Sequence, residues 1–293
     1  MSIKEHALLV SMTVNKPQMT QKDSKATADA EIANNAHNAG QYRKDLYPKH
    51  LVQPILTVES SARAFIERST YPWDRGLYML PTAKFMEFAE RIGKFELEFN
   101  QAVTAFLNNW SNVMTAAQQT QGGLFDANAY PDLTDLRADF RFRISYRPIT
   151  DSADFRVQMQ DEEMDALRAQ VEQATRESMN NVLRAPLERL RAVVAKLNEV
   201  TGKTEREVVN KRTGVSEIKP PIFRDSVVDN ITEEIALLHA FANILPDNVL
   251  AIAKDVADST PHAQTLRDDP DRRTAVNTQT TALLSAIDSM LGD

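Results

Sequence analysis

Between Thr82 and Thr120, the residues Phe85, Phe88, Ile92, Phe95, Phe99, Val103, Phe106, Trp110, Val113 and Ala117 recur at gaps of three and four. That spacing forms one continuous apolar stripe only on an α-helix, so it predicts a long helix here. Pro81 and Thr82 supply its start, and Gly122-Gly123 its stop. The aromatic row reads as core, because a stripe of this length left in water would drive aggregation. A second stripe follows Asp161: Met164, Leu167, Val171, Ala174, Met179, Val182, Leu187, Leu190, Val194 and Leu197. Asp161, Glu162 and Glu163 favour the positive end of that helix, and Pro186 should kink or split it. Both stripes lie near the 3.5-residue repeat of coiled coils, so the economical arrangement packs them on each other. The expected fold is therefore mainly α: a long antiparallel helical pair with a small antiparallel β-sheet and a C-terminal helical portion.

Strand patterns supply the sheet. In ALLVSMTVN, Leu8, Val10, Met12 and Val14 alternate with Leu9, Ser11, Thr13 and Asn15, the period of a half-buried strand. From Asp139 to Gln160, Phe140, Phe142, Ile144 and Tyr146 alternate with Arg141, Arg143, Ser145 and Arg147. After the turn PITDSAD, Phe155, Val157 and Met159 alternate with Arg156 and Gln158. This is the pattern of a β-hairpin with one apolar face, and a lone hairpin is marginal in water. The N-terminal strand is the natural third member. Residues 19–38 form at most a weak surface helix, and 41–56 an ordered connector into a helix ending near Arg68. The run TEREVVNKRTGVSEIKPP reads as a smaller hairpin turning at Gly214, followed by helices over about 225–243, 246–258 and 273–291. The expected division is a body over 1–219, holding the helical pair and a three-stranded sheet, and an acidic helical portion over 220–293.

Composition narrows the chemistry. The 293 residues include no Cys, which removes disulfides, thiolate zinc sites, iron–sulfur clusters and a cysteine nucleophile together. The five histidines show neither H-x-x-x-H nor H-E-x-x-H spacing, so no zinc ligand set is visible. Gly202-Lys203-Thr204 matches the end of a phosphate loop, but its first glycine would have to stand where Leu197 does; Gly202 reads as a helix C-cap instead. No cofactor and no catalytic residue is indicated. No stretch approaches 18 uninterrupted apolar residues, and MSIKEH leads into no cleavage pattern, so a cytoplasmic protein without a membrane partner is expected.

The chain carries 34 Lys+Arg against 41 Asp+Glu, a net charge of -7. From Pro220 onward, twelve acidic residues stand against five basic ones, so the whole imbalance sits in the C-terminal quarter. Arg141, Arg143, Arg147 and Arg156 would project from one side of the predicted hairpin. Always-charged, planar guanidinium groups about 7 Å apart along a strand suit a phosphate backbone. Lys211 and Arg212 at the tip of the later hairpin add to this candidate nucleic-acid-binding set. Ser11, Thr13 and Asn15 would widen its polar face, and Asp139, Asp151 and Asp154 are placed to neutralise part of it. Tyr71-Pro72-Trp73 offers either a stacking platform or a rigid corner.

An opening strand, then RKDLYPKHLVQPI, YPWDRGLYMLP before the long aromatic helix, ADFRVQM and FRDSVVDN together resemble an uncharacterised group of tailed-phage proteins, over most of residues 40–230. The resemblance implies an accessory role in phage DNA metabolism and brings no site residues with it. The expected function is a non-enzymatic accessory protein that binds nucleic acid, single-stranded, as a homo-oligomer. The alternative is a protein-interaction or assembly factor, such as an inhibitor of a host system, docking a host protein through its long helices or its acidic quarter.

Overall fold

The computed structural model describes residues 3–149, 161–203, 206–209, 216–219 and 223–292. The elements in chain order begin with α1 (Ile3–His6), β1 (Ala7–Asn15), β2 (Thr20–Lys22), α2 (Ser24–Ala33), β3 (Arg43–Asp45) and α3 (Lys49–Ser69). Next come β4 (Tyr71–Asp74), β5 (Leu77–Pro81), α4 (Phe85–Asn108), α5 (Trp110–Gln121), α6 (Leu133–Asp139) and β6 (Arg141–Pro148). The last are α7 (Asp161–Thr201), β7 (Arg206–Val209), β8 (Ser216–Lys219), α8 (Ser226–Ala240), α9 (Asp247–Ser259), α10 (Ala263–Asp268) and α11 (Pro270–Leu291). The protein is mainly helical with a small antiparallel sheet. β4, β5, β1 and β6 form that sheet in that order, so the N-terminal strand does lie beside β6. No described helix is long and apolar enough to cross a membrane.

The chain is interleaved between two compact units, 1–10, 67–85 and 147–293 against 11–66 and 86–146. In the first unit β1 pairs with β5 from Ala7↔Pro81 to Val10↔Tyr78, and β5 returns to β4 through a turn closed by Gly76 at φ 71°. A positive φ is where glycine costs least. α7 is a single helix of 41 residues, so Pro186 does not split it. The ring is buried where Val182, Ala185, Leu187 and Leu190 pack into the core, and tertiary burial outweighs the one backbone hydrogen bond lost. α7 packs against α8, α11 and β4, and the described part of its stripe, Val182 to Leu197, is covered by Ile231, Leu238, Val276 and Ile287 among others. The acidic segment after Pro220 belongs to this same core.

α7 ends at Thr201, and the Gly202 N–H donates to the Asn198 carbonyl at 2.9 Å, as a C-cap would. The glycine has a second reason to be there. A Cβ at Gly202 would stand 3.0 Å from Asn277 Nδ2 of α11. That close approach lets Asn277 Nδ2 donate to the Asn198 carbonyl at 2.7 Å while Asn198 Nδ2 donates back to the Asn277 carbonyl at 2.9 Å. Nearby, Lys196 at 2.7 Å and Lys203 at 2.5 Å hold the exposed Glu199 carboxylate down at about 2, against an ordinary 4.5. A depressed carboxylate stabilises the folded state above its unfolded value, and the benefit fades as pH falls from 4.5 toward 2. Glu199→Gln should therefore lower stability slightly at pH 7 and by less than half as much near pH 3, a difference erased by high salt. Urea midpoints at the two pH values check this.

In the second unit α4 carries the predicted stripe, with Phe88, Ile92, Phe95, Phe99, Val103 and Phe106 all buried. The helix does not continue to Thr120 as one piece. Asn109 interrupts it, its N–H shared between the Ala105 and Phe106 carbonyls at 3.2 Å, and α5 resumes the stripe with Val113 and Ala117. The cover over α4 is local. Phe65 of α3 meets Phe88 and Phe95, while Phe140 and Phe142 meet Phe99. Within each unit, neighbouring elements bury the described stripe of the long helix that the unit contains. α3 begins at Lys49, ahead of Pro54, so that proline lies inside the helix and not in a connector. The stretch 19–38, expected to form at most a weak surface helix, holds β2 and α2, a helix with no buried residue, capped by the Asp23 side chain accepting from the Ala26 N–H at 2.9 Å.

Candidate nucleic-acid interface

The basic row on β6 is positioned by its apolar neighbours. Leu136 anchors α6 in the core, and Phe140 and Phe142 follow with 8% and 7% of their surface exposed. Phe140 reaches the Phe106 ring at 5.9 Å between centroids, and Phe142 the Phe99 ring at 5.6 Å. Tyr146, further along the same side, lies 6.4 Å from Phe88. Because successive strand residues point to opposite faces, these contacts force Arg141, Arg143, Ser145 and Arg147 outward, and all four are exposed. A register slip of one residue would bury the arginines and expose the phenylalanines.

The three described arginines are not equivalent. Arg141 Nε donates to the Ala138 carbonyl at 2.8 Å, capping the last turn of α6. Among the described residues neither Arg143 nor Arg147 forms an ion pair, and Asp139 pairs with none of the three. Arg141 and Arg143 belong to the second unit, and Arg147 is the first residue of the returning segment of the other. On the neighbouring strand β1, Thr13 and Asn15 are exposed and Ser11 half-buried. Arg156, Lys211, Arg212, Asp151 and Asp154 lie outside the described residues, as does the second strand of the predicted hairpin.

Sequence reasoning missed a second basic group in the same unit as Arg141 and Arg143. β2 pairs with β3 so that Lys22 stands directly opposite Arg43, both exposed, with Lys25 in the first turn of α2. Like charges directly opposite on a sheet are mutually repulsive, a cost that an anion would relieve. Arg43 is held by hydrogen bonds to Thr20 Oγ1 at 3.1 and 3.3 Å. The sequence signal was faint: Lys22 and Lys25 stand well apart from Arg43 and Lys44, with Asp23, Asp29 and Glu31 among them. Lys44 points the other way, buried against Asp23 at 3.5 Å. Beside this pair, α2 and residues 38–41 border an open polar pocket of about 390 Å³ lined by Lys22, Ser24, Thr27 and Glu31 among others.

Tyr71-Pro72-Trp73 is not a stacking platform. Tyr71 and Trp73 are buried in β4, and no cis peptide bond occurs among the described residues. Tyr71 OH donates to Glu234 Oε1 at 2.9 Å, and Arg189 Nη2 pairs with Glu234 Oε2 at 2.6 Å. Burial pushes both the Glu234 carboxyl and the Tyr71 hydroxyl upward, with Arg189 opposing the shift in each case. The arginine also donates to the carbonyls of Glu67 at 2.8 Å and Thr70 at 3.0 Å, so this network ties the middles of α7 and α8 to β4 and to the end of α3. Among the described residues no three His, Asp or Glu side chains are arranged to hold a metal ion. Compared with known proteins, the chain matches no family model, no curated protein and no solved structure.

Proposed function

We propose that the chain is a non-enzymatic accessory protein of phage type that binds single-stranded nucleic acid as an oligomer, in the cytoplasm of a host cell. The observation that carries this reading is the exposed pair Arg141 and Arg143 on the outer face of β6, neither of which has a carboxylate partner among the described residues; Arg147, at the end of the same strand, has none either. Exposed guanidinium groups not engaged in an ion pair can make bidentate contacts to phosphate. The face carries Ser145 and no aromatic ring, because Phe140, Phe142 and Tyr146 all lie on the opposite side. Contact through it is therefore with the phosphate backbone, which positions a strand without reading its bases. Lys22, Lys25 and Arg43 extend the same chemistry in the second unit.

Fluorescence anisotropy with labelled oligonucleotides at low salt tests the reading. Comparable affinity for oligo(dT), oligo(dA) and oligo(dC), falling steeply as salt rises, is the expected result. No affinity for any single- or double-stranded DNA or RNA at low salt would overturn it and leave the protein-docking alternative in its place.

A further inference from the structure

Halfway along α4, Gly93 is exposed, and a Cβ built there would meet nothing within 4 Å. Glycine inside a helix weakens it relative to alanine, and nothing in this chain's described residues needs the missing side chain. On the same outward face, Met86 is 77% exposed and Leu97 58%. At about 100° per residue, Met86, Gly93 and Leu97 fall within roughly 40° of one another, a stripe of two apolar side chains with a bare backbone between them. Glu87, Glu90 and Lys94 line one flank of this stripe, Lys94 already pairing with Glu90 at 2.7 Å.

We infer that α4 docks on α4 of a second copy of this chain, antiparallel, with the helices crossing between Glu90 and Gly93. The spacing and charge select that partner. Setting Met86 against the partner's Leu97 places Gly93 opposite the partner's Glu90, so the bare glycine admits the carboxylate's stem and lets the axes approach to about 8 Å. The same setting puts Lys94 beside the partner's Glu87 and the partner's Glu90, twice over by the two-fold symmetry. A parallel pairing would instead oppose Glu90 to the partner's Glu90. This inference rests on the oligomer named above and concerns a different face of the second unit from the β6 arginines.

Sedimentation equilibrium on the full chain at micromolar concentrations tests it. The wild type is expected to dimerise. Gly93→Leu, which favours the helix but fills the seam, should raise the dissociation constant by about tenfold or more while helical content is retained. Lys94→Glu should weaken the dimer, and adding Glu87→Lys should restore it; this charge pair reads the seam even if the leucine variant folds poorly. Oligonucleotide binding by the monomeric variant should persist, which separates failure of the dimer from failure of the basic row. A wild type that stays monomeric at tens of micromolar, or a dimer indifferent to both Gly93→Leu and the charge swap, overturns the inference.

Discussion

Arg189→Met should destabilise the protein by about 3 to 5 kcal/mol at pH 7, the usual cost of stranding one half of a buried ion pair. Glu234 is only 4% exposed, and without the guanidinium its carboxylate keeps a single partner, the Tyr71 hydroxyl. The side chain can escape by taking up a proton. Lifting a carboxyl from 4.5 to full protonation at pH 7 costs roughly 1.4 kcal/mol per pH unit, about 3.5 kcal/mol in all, which sets the scale of the penalty. The hydrogen bonds to the carbonyls of Glu67 and Thr70 are lost as well. The sign with pH follows. Burial raises the folded-state value of Glu234 above its unfolded one, so protonation favours the folded form. The deficit of the variant should therefore be largest above neutrality and shrink as pH falls toward 5. The double variant Arg189→Met with Glu234→Leu should recover most of the loss, since no buried charge remains. Urea unfolding at pH 7 and pH 5 reads both effects; a deficit under 1 kcal/mol at pH 7 would mean that the network bears no weight.

Phe99→Ala should cost about 3 to 5 kcal/mol, as large-to-small changes of a buried aromatic do. Phe99 is fully buried, and its ring lies against those of Phe140 and Phe142, the two residues that set the parity of β6. The cavity would lie directly behind the basic row, so oligonucleotide affinity should fall together with stability. Asn100→Ala, one position on and exposed, should change stability by no more than about 0.5 kcal/mol. Equal effects of the two substitutions, by thermal or urea unfolding, would contradict the assignment of this face of α4 to the core.

Periodicity made part of this architecture legible before any coordinates. The three- and four-residue gaps from Phe88 to Ala117 gave the buried face of α4 and α5, and the alternation from Phe140 to Arg147 gave the outward direction of the arginines. Both signals are local, and local geometry decides them. The interruption at Asn109 left no trace, because the stripe resumes in phase on the far side. Pairing partners were harder. Two stripes of similar period suggested one seam; the cover seen within the units is Phe65, Phe140 and Phe142 on α4, and α8 and α11 on α7. Hydrophobic spacing states that a face is buried and is silent about what buries it. The interleaving of the units depends on the whole chain, with β1 leaving one unit at Val10 and entering the other at Ser11. The link from Tyr71 to Glu234 spans 163 residues, and the opposition of Lys22 and Arg43 appears only once β2 has found β3. The short helix α10 passed unnoticed because only Leu266 anchors it.

The most direct test of the proposed interface is the salt dependence of oligonucleotide binding after neutralising the row. Arg141, Arg143 and Arg147 replaced together by Gln leave Phe140 and Phe142 untouched, so the circular dichroism spectrum should match the wild type and the thermal midpoint should fall only slightly, through loss of the Arg141 bond to the Ala138 carbonyl. Each phosphate contact removed lowers the log–log slope by about 0.7 on a single strand, so three lost contacts should flatten it by about two units and weaken binding to every sequence alike. A slope and affinity unchanged by the triple substitution, in a protein that binds nucleic acid, would contradict the assignment of β6 as the contact surface.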